Sequence, residues 1–111
     1  MRLESAFKNL ASSPDLDPFR RIIDPLKTYD SKRRNSHLVH TLNVFFSSNA
    51  NVSETAEKLL LHRNSVLYRL ARIRELTELD LQEPRARLAL QLGLLAMEDR
   101  GRNSDGEDES P

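Results

Sequence analysis

The segment Asn51–Glu78, NVSETAEKLLLHRNSVLYRLARIRELTE, decides the fold that the sequence predicts. Read with a period near 3.6 residues, it divides into two helices joined by the short polar segment 61–65. Ser53 and the acids behind it favour a helix start, since carboxylates complement the positive end of a helix dipole. Two short helices with a tight joint predict a helix-turn-helix. The inward stripes are Val52, Thr55, Ala56, Leu59 and Leu60 in the first helix and Val66, Leu70, Ile73 and Leu76 or Thr77 in the second.

The outer face of the second helix, predicted over about residues 63–76, is cationic, and no acid occurs between His62 and Arg74. Arginine matches guanine edges and phosphate, asparagine can hold adenine through two hydrogen bonds, and serine or tyrosine can bond to phosphate oxygens. A helix of about 14 residues is roughly 21 Å long and fits a major groove. We therefore predict double-stranded DNA as the partner. The predicted contact residues are His62, Arg63, Asn64, Ser65, Leu67, Tyr68, Arg69, Arg72 and Arg74.

The run from Leu26 to Met97 resembles the C-terminal helix-turn-helix domain of the PucR/CdaR-type bacterial transcription regulators. The family has HRNT-x-x-YRL followed by ELTG-x-DL, where this chain has HRNSVLYRL and ELTELDL. Ser65 keeps the hydroxyl of the family's threonine, whereas Glu78 replaces a glycine that suits a left-handed helix end. The resemblance implies the output domain of a regulator whose effector binds an upstream domain absent from this chain. A looser similarity links the same string to Fis-like DNA-binding helices.

Length and composition limit the fold to one small all-α helical bundle of about five to six helices around the helix-turn-helix. The chain has 111 residues, of which 31% are charged and 5% aromatic, a balance typical of helices with solvated faces. It has no cysteine, so a disulfide framework and a thiolate metal site are excluded. No apolar run approaches the roughly 18 residues of a membrane span, and no signal peptide is recognised at the start. We expect a cytoplasmic protein without a cofactor or membrane contact.

The net charge of zero hides a segregation of charge along the sequence. From Glu98 to the end there are six acids and two bases, which leaves fifteen bases and eleven acids before it. The body therefore carries about four positive charges, as nucleic-acid binding requires. We divide the chain into an N-terminal helix and linker over 1–16, interpreted as the remnant of an upstream sensing domain, the DNA-binding domain over 17–98 and a disordered acidic tail over 99–111.

The flanking helices follow from apolar spacing and from proline. Leu3, Phe7 and Leu10 predict a short helix that ends before Pro14, and Asp17 is the expected N-cap of the next one. Pro25 should break or kink that helix, leaving residues 26–29 as a short separate turn. A longer helix is predicted from about residue 31 to 46, and a last one from Pro84. The expected buried stripe of this last helix is Leu88, Ala89, Leu92, Leu95 and Ala96, broadened by Leu90 and Leu94.

Several residues have two interpretations from the sequence. His62 is either the cap of the second helix or a DNA contact, and His37 with His40 form a solvated pair that lacks a third metal ligand. Tyr68 is a phosphate ligand or a packing residue, and Arg69 contacts DNA or an acid of another helix. Leu67 touches a thymine methyl group or a protein interface. At Leu60, where many such motifs have glycine, we expect a conformation other than the strained left-handed one.

No constellation for catalysis is present, since there is no glycine-rich phosphate loop and no poised pair of carboxylates. The alternative to DNA binding is a helical protein–protein interaction or dimerisation module, in which the wide last helix and Leu67 bind protein. Operators for helix-turn-helix domains commonly consist of two half-sites about 34 Å apart, so a homodimer is expected.

Overall fold

The computed structural model describes the backbone of residues 2–109 and the side chains of residues 2–98. Over these residues the chain forms six α-helices, one short 3₁₀ turn and no strand, which confirms the predicted all-α bundle. The elements are α1 (Arg2–Ala11), the 3₁₀ turn (Pro14–Leu16), α2 (Asp17–Lys32), α3 (Leu38–Ser47), α4 (Val52–Leu59), α5 (Arg63–Thr77) and α6 (Pro84–Glu109).

Two regions of the chain bear on its further organisation. Among the described residues, no helix combines the length and the apolar character that a membrane crossing needs. A disordered tail was expected over 99–111; the described backbone continues α6 to Glu109, and the side chains of 99–111 lie outside the described residues.

One apolar core joins α2, α3, α5 and α6, and α4 closes it from the side of α3 and α5. Burying one such side chain fully contributes about 1.5–3 kcal/mol, so this core dominates the stability of a chain this short. The inner stripes of α4 and α5 are buried largely as predicted. The apolar residues at 0–1% exposure among the described residues are Ile23, Leu26, Leu38, Leu42, Val66, Ile73, Leu90 and Ala96.

The helices α2 and α6 approach each other closely at Gly93. A Cβ placed on Gly93 would lie 2.5 Å from Cγ1 of Ile23 and 2.5 Å from the backbone oxygen of Phe19. Both distances are far shorter than van der Waals contact, and the backbone oxygen has no room to move aside. Only glycine therefore permits this crossing, a role that the sequence analysis did not assign to it.

The predicted break at Pro25 is wrong, because α2 continues through it to Lys32. An internal proline removes one backbone hydrogen bond and crowds the carbonyl four residues earlier, at a cost of about 3 kcal/mol. Ile23 and Leu26, on either side of Pro25, are fully buried in the core. Their burial offsets the cost and keeps α2 continuous.

The single helix predicted over about residues 31–46 is also wrong, since residues 33–37 form a loop and α3 begins only at Leu38. Arg33 is extended, with φ −131° and ψ 119°, which ends α2, and His37, directly before α3, is left-handed with φ 47°. The carboxylate of Asp30 accepts hydrogen bonds from the backbone N–H groups of Leu38 at 2.8 Å and Val39 at 3.0 Å. A residue of α2 thus caps α3, a contact that bridges eight residues and has no signature in local sequence.

The start of α2 differs from the prediction as well. Asp17 lies within the helix and is not its N-cap, while Ser13 caps the preceding 3₁₀ turn. Asp17 instead accepts a hydrogen bond from the buried Arg20, which also donates to the backbone oxygens of Ala11 and Ser13. Arg20 therefore fastens the end of the predicted α1 to α2.

The predicted stripe of α6 is displaced by part of a turn. Leu90, Leu94 and Ala96 are buried, but Leu88 is 55% exposed and so does not belong to the core. The displacement follows from the crossing at Gly93, which fixes the side of α6 that meets α2.

Both helices of the helix-turn-helix end in left-handed residues that are not glycine. Leu60 has φ 57° and ψ 42° and is 91% exposed, so the expectation of another conformation, and of an inward side chain, is wrong. Glu78 has φ 60°, the conformation that glycine would favour there. At the other end of α4, the side chain of Asn51 rather than Ser53 provides the cap, accepting from the N–H of Glu54 at 2.8 Å. The tight joint requires the left-handed residue regardless of its side chain.

Replacing Gly93 by alanine should destabilise the protein by about 1–3 kcal/mol, because overpacking outweighs the helix propensity gained. Gln91→Ala, at an exposed position of the same helix, is the control and should change stability by only a few tenths of a kcal/mol. Urea unfolding followed by circular dichroism measures both. A more stable Gly93→Ala protein would contradict the crossing.

Leu60→Gly should stabilise the protein by about 0.5–1 kcal/mol. The left-handed conformation costs a non-glycine residue about 1–2 kcal/mol, a cost that glycine avoids. Part of this gain in stability is lost because glycine has more conformational freedom in the unfolded chain. Leu59→Gly is the matched control, since it changes the same residue type within the helix and should destabilise by about 1 kcal/mol or more. Equal effects of the two changes on the thermal midpoint would rule out strain at Leu60.

Candidate nucleic-acid interface

The helix α5 has one buried face and one open face. Its inner stripe, Val66, Leu70 and Ile73, is buried against α2, α3 and α4, as the sequence predicts. Its 15 residues span about 22 Å. The packing therefore holds a rod of groove length at the surface, with its outer side chains turned away from the core.

His62 is the N-cap of α5, which supports one of its two interpretations. Its backbone is extended, and its Nδ1 accepts a hydrogen bond from the N–H of Asn64 at 3.3 Å. The cap fixes the direction in which α5 begins. Among the described residues, no group of three potential ligands lies close enough to hold a metal ion, and His37 and His40 are exposed.

The first turn of α5 presents three polar side chains to solvent. Arg63, Asn64 and Ser65 are exposed, and within residues 2–98 their side chains have no hydrogen-bond or ion-pair partner. Their donors and acceptors are thus available to a ligand that approaches the helix start. Leu67 follows on the same surface at 40% exposure.

One turn further on, Arg72 is sandwiched between two tyrosines. Its guanidinium carbon lies 5.5 Å from the ring centre of Tyr68 and 5.7 Å from that of Tyr29, and it donates to the Tyr68 hydroxyl at 2.9 Å. That hydrogen bond, with the charge of Arg72, lowers the pKa of Tyr68 below its ordinary value. Arg72 also pairs with Glu75 at 3.0 Å and stays about one-third exposed (34%). The sandwich holds a positive charge at the surface in a fixed position.

Arg69 is turned toward the body of the protein. It donates to the hydroxyl of Thr41 at 2.9 Å and to the backbone oxygen of Asn35 at 3.4 Å. These partners are a hydroxyl and a carbonyl, not the acid considered from the sequence. The contacts connect α5 to α3 and to the loop before it.

Arg74 lies at the far end of the open face. Its side chain is 65% exposed, and its only ion pair among the described residues is a loose one with Asp80 at 3.9 Å. The open face thus carries positive charge along its length, from Arg63 to Arg74.

The sequence analysis did not place the end of α2 beside α5 at this surface. Tyr29 and Arg33, on the last turns of α2 and just after it, stand beside α5, with the Arg33 guanidinium 4.4 Å above the Tyr29 ring. Because the sequence analysis predicted a single helix over 31–46, it did not place Tyr29 and Arg33 next to α5. From the sequence, the basic run Lys32-Arg33-Arg34 is either a solvated run or one that braces the phosphate backbone, because a run of charges by itself does not tell which surface it joins.

Comparison with known proteins agrees with this architecture. Residues 38–96, more than half of the chain, match the family described as the PucR C-terminal helix-turn-helix domain. The chain is 37% identical over 65 residues to the purine catabolism regulatory protein of Bacillus subtilis, which covers 59% of this chain and 12% of that protein. No solved structure matches.

Two further relatives are similar over slightly longer stretches. The carbohydrate diacid regulator of Escherichia coli is 43% identical over 75 residues (68% of this chain, 19% of the relative), and the proline-responsive transcriptional activator of B. subtilis is 35% identical over 72 (65% and 17%). The chain spans less than a fifth of the length of these relatives. Because the family match begins at the first residue of α3 and extends into α6, the chain belongs to the PucR C-terminal helix-turn-helix domain family.

Proposed function

We propose that this chain binds double-stranded DNA in a sequence-specific manner, as the output domain of a transcriptional regulator, with α5 in the major groove. The observation that carries the proposal is the first turn of α5, where Arg63, Asn64 and Ser65 are exposed and unpartnered beside a buried apolar stripe. A helix of this length and diameter fits the groove, and its open face is cationic along its whole length.

The side chains of α5 divide into base-reading and phosphate-binding groups. Asn64 and Ser65 read base edges, and Leu67 meets a thymine methyl group. Arg63, Tyr68, Arg72 and Arg74 hold phosphates, for which a charge in a fixed position is sufficient.

Two residues are assigned differently from the rest. His62 directs α5 as its cap, and its exposed ring is close enough to the helix start to approach DNA as well. Arg69 was predicted to contact DNA or an acid of another helix, but its hydrogen bonds to Thr41 and Asn35 favour a positioning role. In that role Arg69 fixes the orientation of α5 relative to α3 and to the loop before it.

The assembly that we propose is a homodimer in the cytoplasm. Two-fold symmetric operators with half-sites about 34 Å apart require two copies of α5 at that spacing. The effector binds a region outside this chain, as the much greater length of the relatives supports. The exposed Leu88 gives α6 an apolar residue for contact between copies.

The alternative function is a helical protein-interaction module that does not contact DNA. The exposure of Leu88 and Leu67 favours it, because such side chains gain from burial in an interface. In that case the arginines of α5 would serve only as a solvated face.

The dependence of binding on salt separates the two functions. If α5 and its neighbours neutralise about four to six phosphates, the logarithm of the DNA association constant should fall with the logarithm of salt concentration with a slope near −4 to −5. Fluorescence anisotropy of a labelled duplex between low and moderate salt measures the slope. Partner binding that barely changes with salt, together with no DNA binding, would favour the interaction module.

The two kinds of contact should respond differently to mutation. Asn64→Ala should reduce discrimination between the selected site and its single-base variants by about 1–3 kcal/mol, because a two-bond contact to one base is lost. Arg63→Gln should weaken all sequences alike and reduce the steepness of the salt dependence by about 0.9. A site selected from random duplexes provides the probe. If both variants lose affinity uniformly, the assignment of Asn64 to base reading is wrong.

A further inference from the structure

A groove of about 580 Å³ runs beside the N-terminal half of α5. One wall is α5 itself, and the other is the end of α2 with the loop 33–37, an element outside the helix-turn-helix. The lining residues on which the inference depends are Asn64, Tyr68 and Arg69 on the first wall and Tyr29, Arg33 and Asn35 on the second.

The groove is positive because no acid lines it. Arg33 and Arg69 are its charged lining residues. Asp30 is close in sequence, but its carboxylate is occupied by Ser36 and by the N–H groups of Leu38 and Val39. The groove therefore has a positive lining, which favours the binding of an anion.

The second wall is held in place from both ends. Asp30 caps α3 and so fixes the end of the loop, while Arg69 of α5 binds the backbone oxygen of Asn35 in its middle. At the other end Arg33 stacks on Tyr29, whose ring also faces Arg72. A wall ordered before binding loses little conformational entropy when a ligand arrives.

Arg33 keeps its hydrogen-bonding capacity free. Its guanidinium stacks on the Tyr29 ring and makes no hydrogen bond or ion pair with the described residues, so its N–H donors are unoccupied. Such an edge matches two oxygens of one phosphate.

We propose that the loop between α2 and α3 is a second DNA-contacting element. Its Arg33 binds a backbone phosphate next to the phosphates that α5 holds. The inference rests on the proposed function. The major groove is about 12 Å wide and a helix with its side chains is about 10–12 Å across, so a docked helix has a phosphate backbone close along each side. Asn64, which reads bases in the proposed function, lines the same groove on the protein as Arg33. With α5 in the major groove of DNA, one of these phosphate backbones therefore passes Arg33.

The test compares Arg33→Gln with Lys8→Gln. Both changes remove one positive charge from an exposed side chain, but Lys8 lies on α1, which packs on α6. The probe is a labelled mixed-sequence duplex of about 30 base pairs, roughly three helical turns. Its affinity is measured by anisotropy over a series of salt concentrations, and the thermal midpoint of each variant verifies that the fold is retained.

Arg33→Gln should make the salt dependence less steep by about 0.9 and weaken binding at 0.1 M salt by up to about tenfold, as expected for one lost phosphate contact. Lys8→Gln should leave the slope unchanged. Arg33→Lys, which keeps the charge, should restore most of the slope, whereas a purely structural role of Arg33 would change the midpoint and not the slope.

The opposing outcomes are distinct. If Arg33→Gln behaves like Lys8→Gln while Arg63→Gln lowers the slope, the loop does not touch DNA and the inference is overturned, although DNA binding by α5 stands. If the unmodified protein does not bind the duplex at any salt concentration, the inference and the proposed function both fall.

Discussion

The burial of Val66, Leu70 and Ile73 is the constraint on which the rest of this structure depends. A helix of 15 residues is marginal on its own in water, and clustered arginines on one face make it less stable still. Each fully buried side chain of the stripe contributes about 1.5–3 kcal/mol, which exceeds the repulsion between solvent-exposed charges. The packed inner face thus allows the outer face to stay cationic, with the Arg63 side chain exposed and unpaired among the described residues.

The end of α2 connects this packing to the open face. Asp30 caps α3, Tyr29 supports Arg72, and the loop that follows receives Arg69 from α5. A single turn of α2 therefore positions the helix behind α5 and two of the cations on it. The sites that read DNA in our proposal are local to α5, but their orientation is set by residues more than thirty positions earlier in the chain.

The C-terminal ends of α4 and α5 show how tertiary geometry overrides the conformational preference of a residue. Leu60 and Glu78 occupy left-handed conformations that favour glycine, and neither side chain is buried. Their neighbours Leu61 and Leu79 pack on the core at once after each turn. The left-handed residue ends each helix so that the next leucine reaches the core, and packing offsets a strain of about 1–2 kcal/mol at each position.

Local periodicity and capping determined α1, α4, α5 and the inner stripe of α5, because a helix whose apolar residues repeat every 3.6 positions can bury only one face. The exposed residues Arg63, Asn64 and Ser65 followed from the same spacing. Tertiary structure alone decided the continuous α2 at Pro25, the interhelical cap by Asp30 and the inward turn of Arg69. Each of these features depends on contacts with residues that are distant in sequence. A short window of sequence does not contain those contacts, so it predicts a break at Pro25 and exposed charges at Asp30 and Arg69.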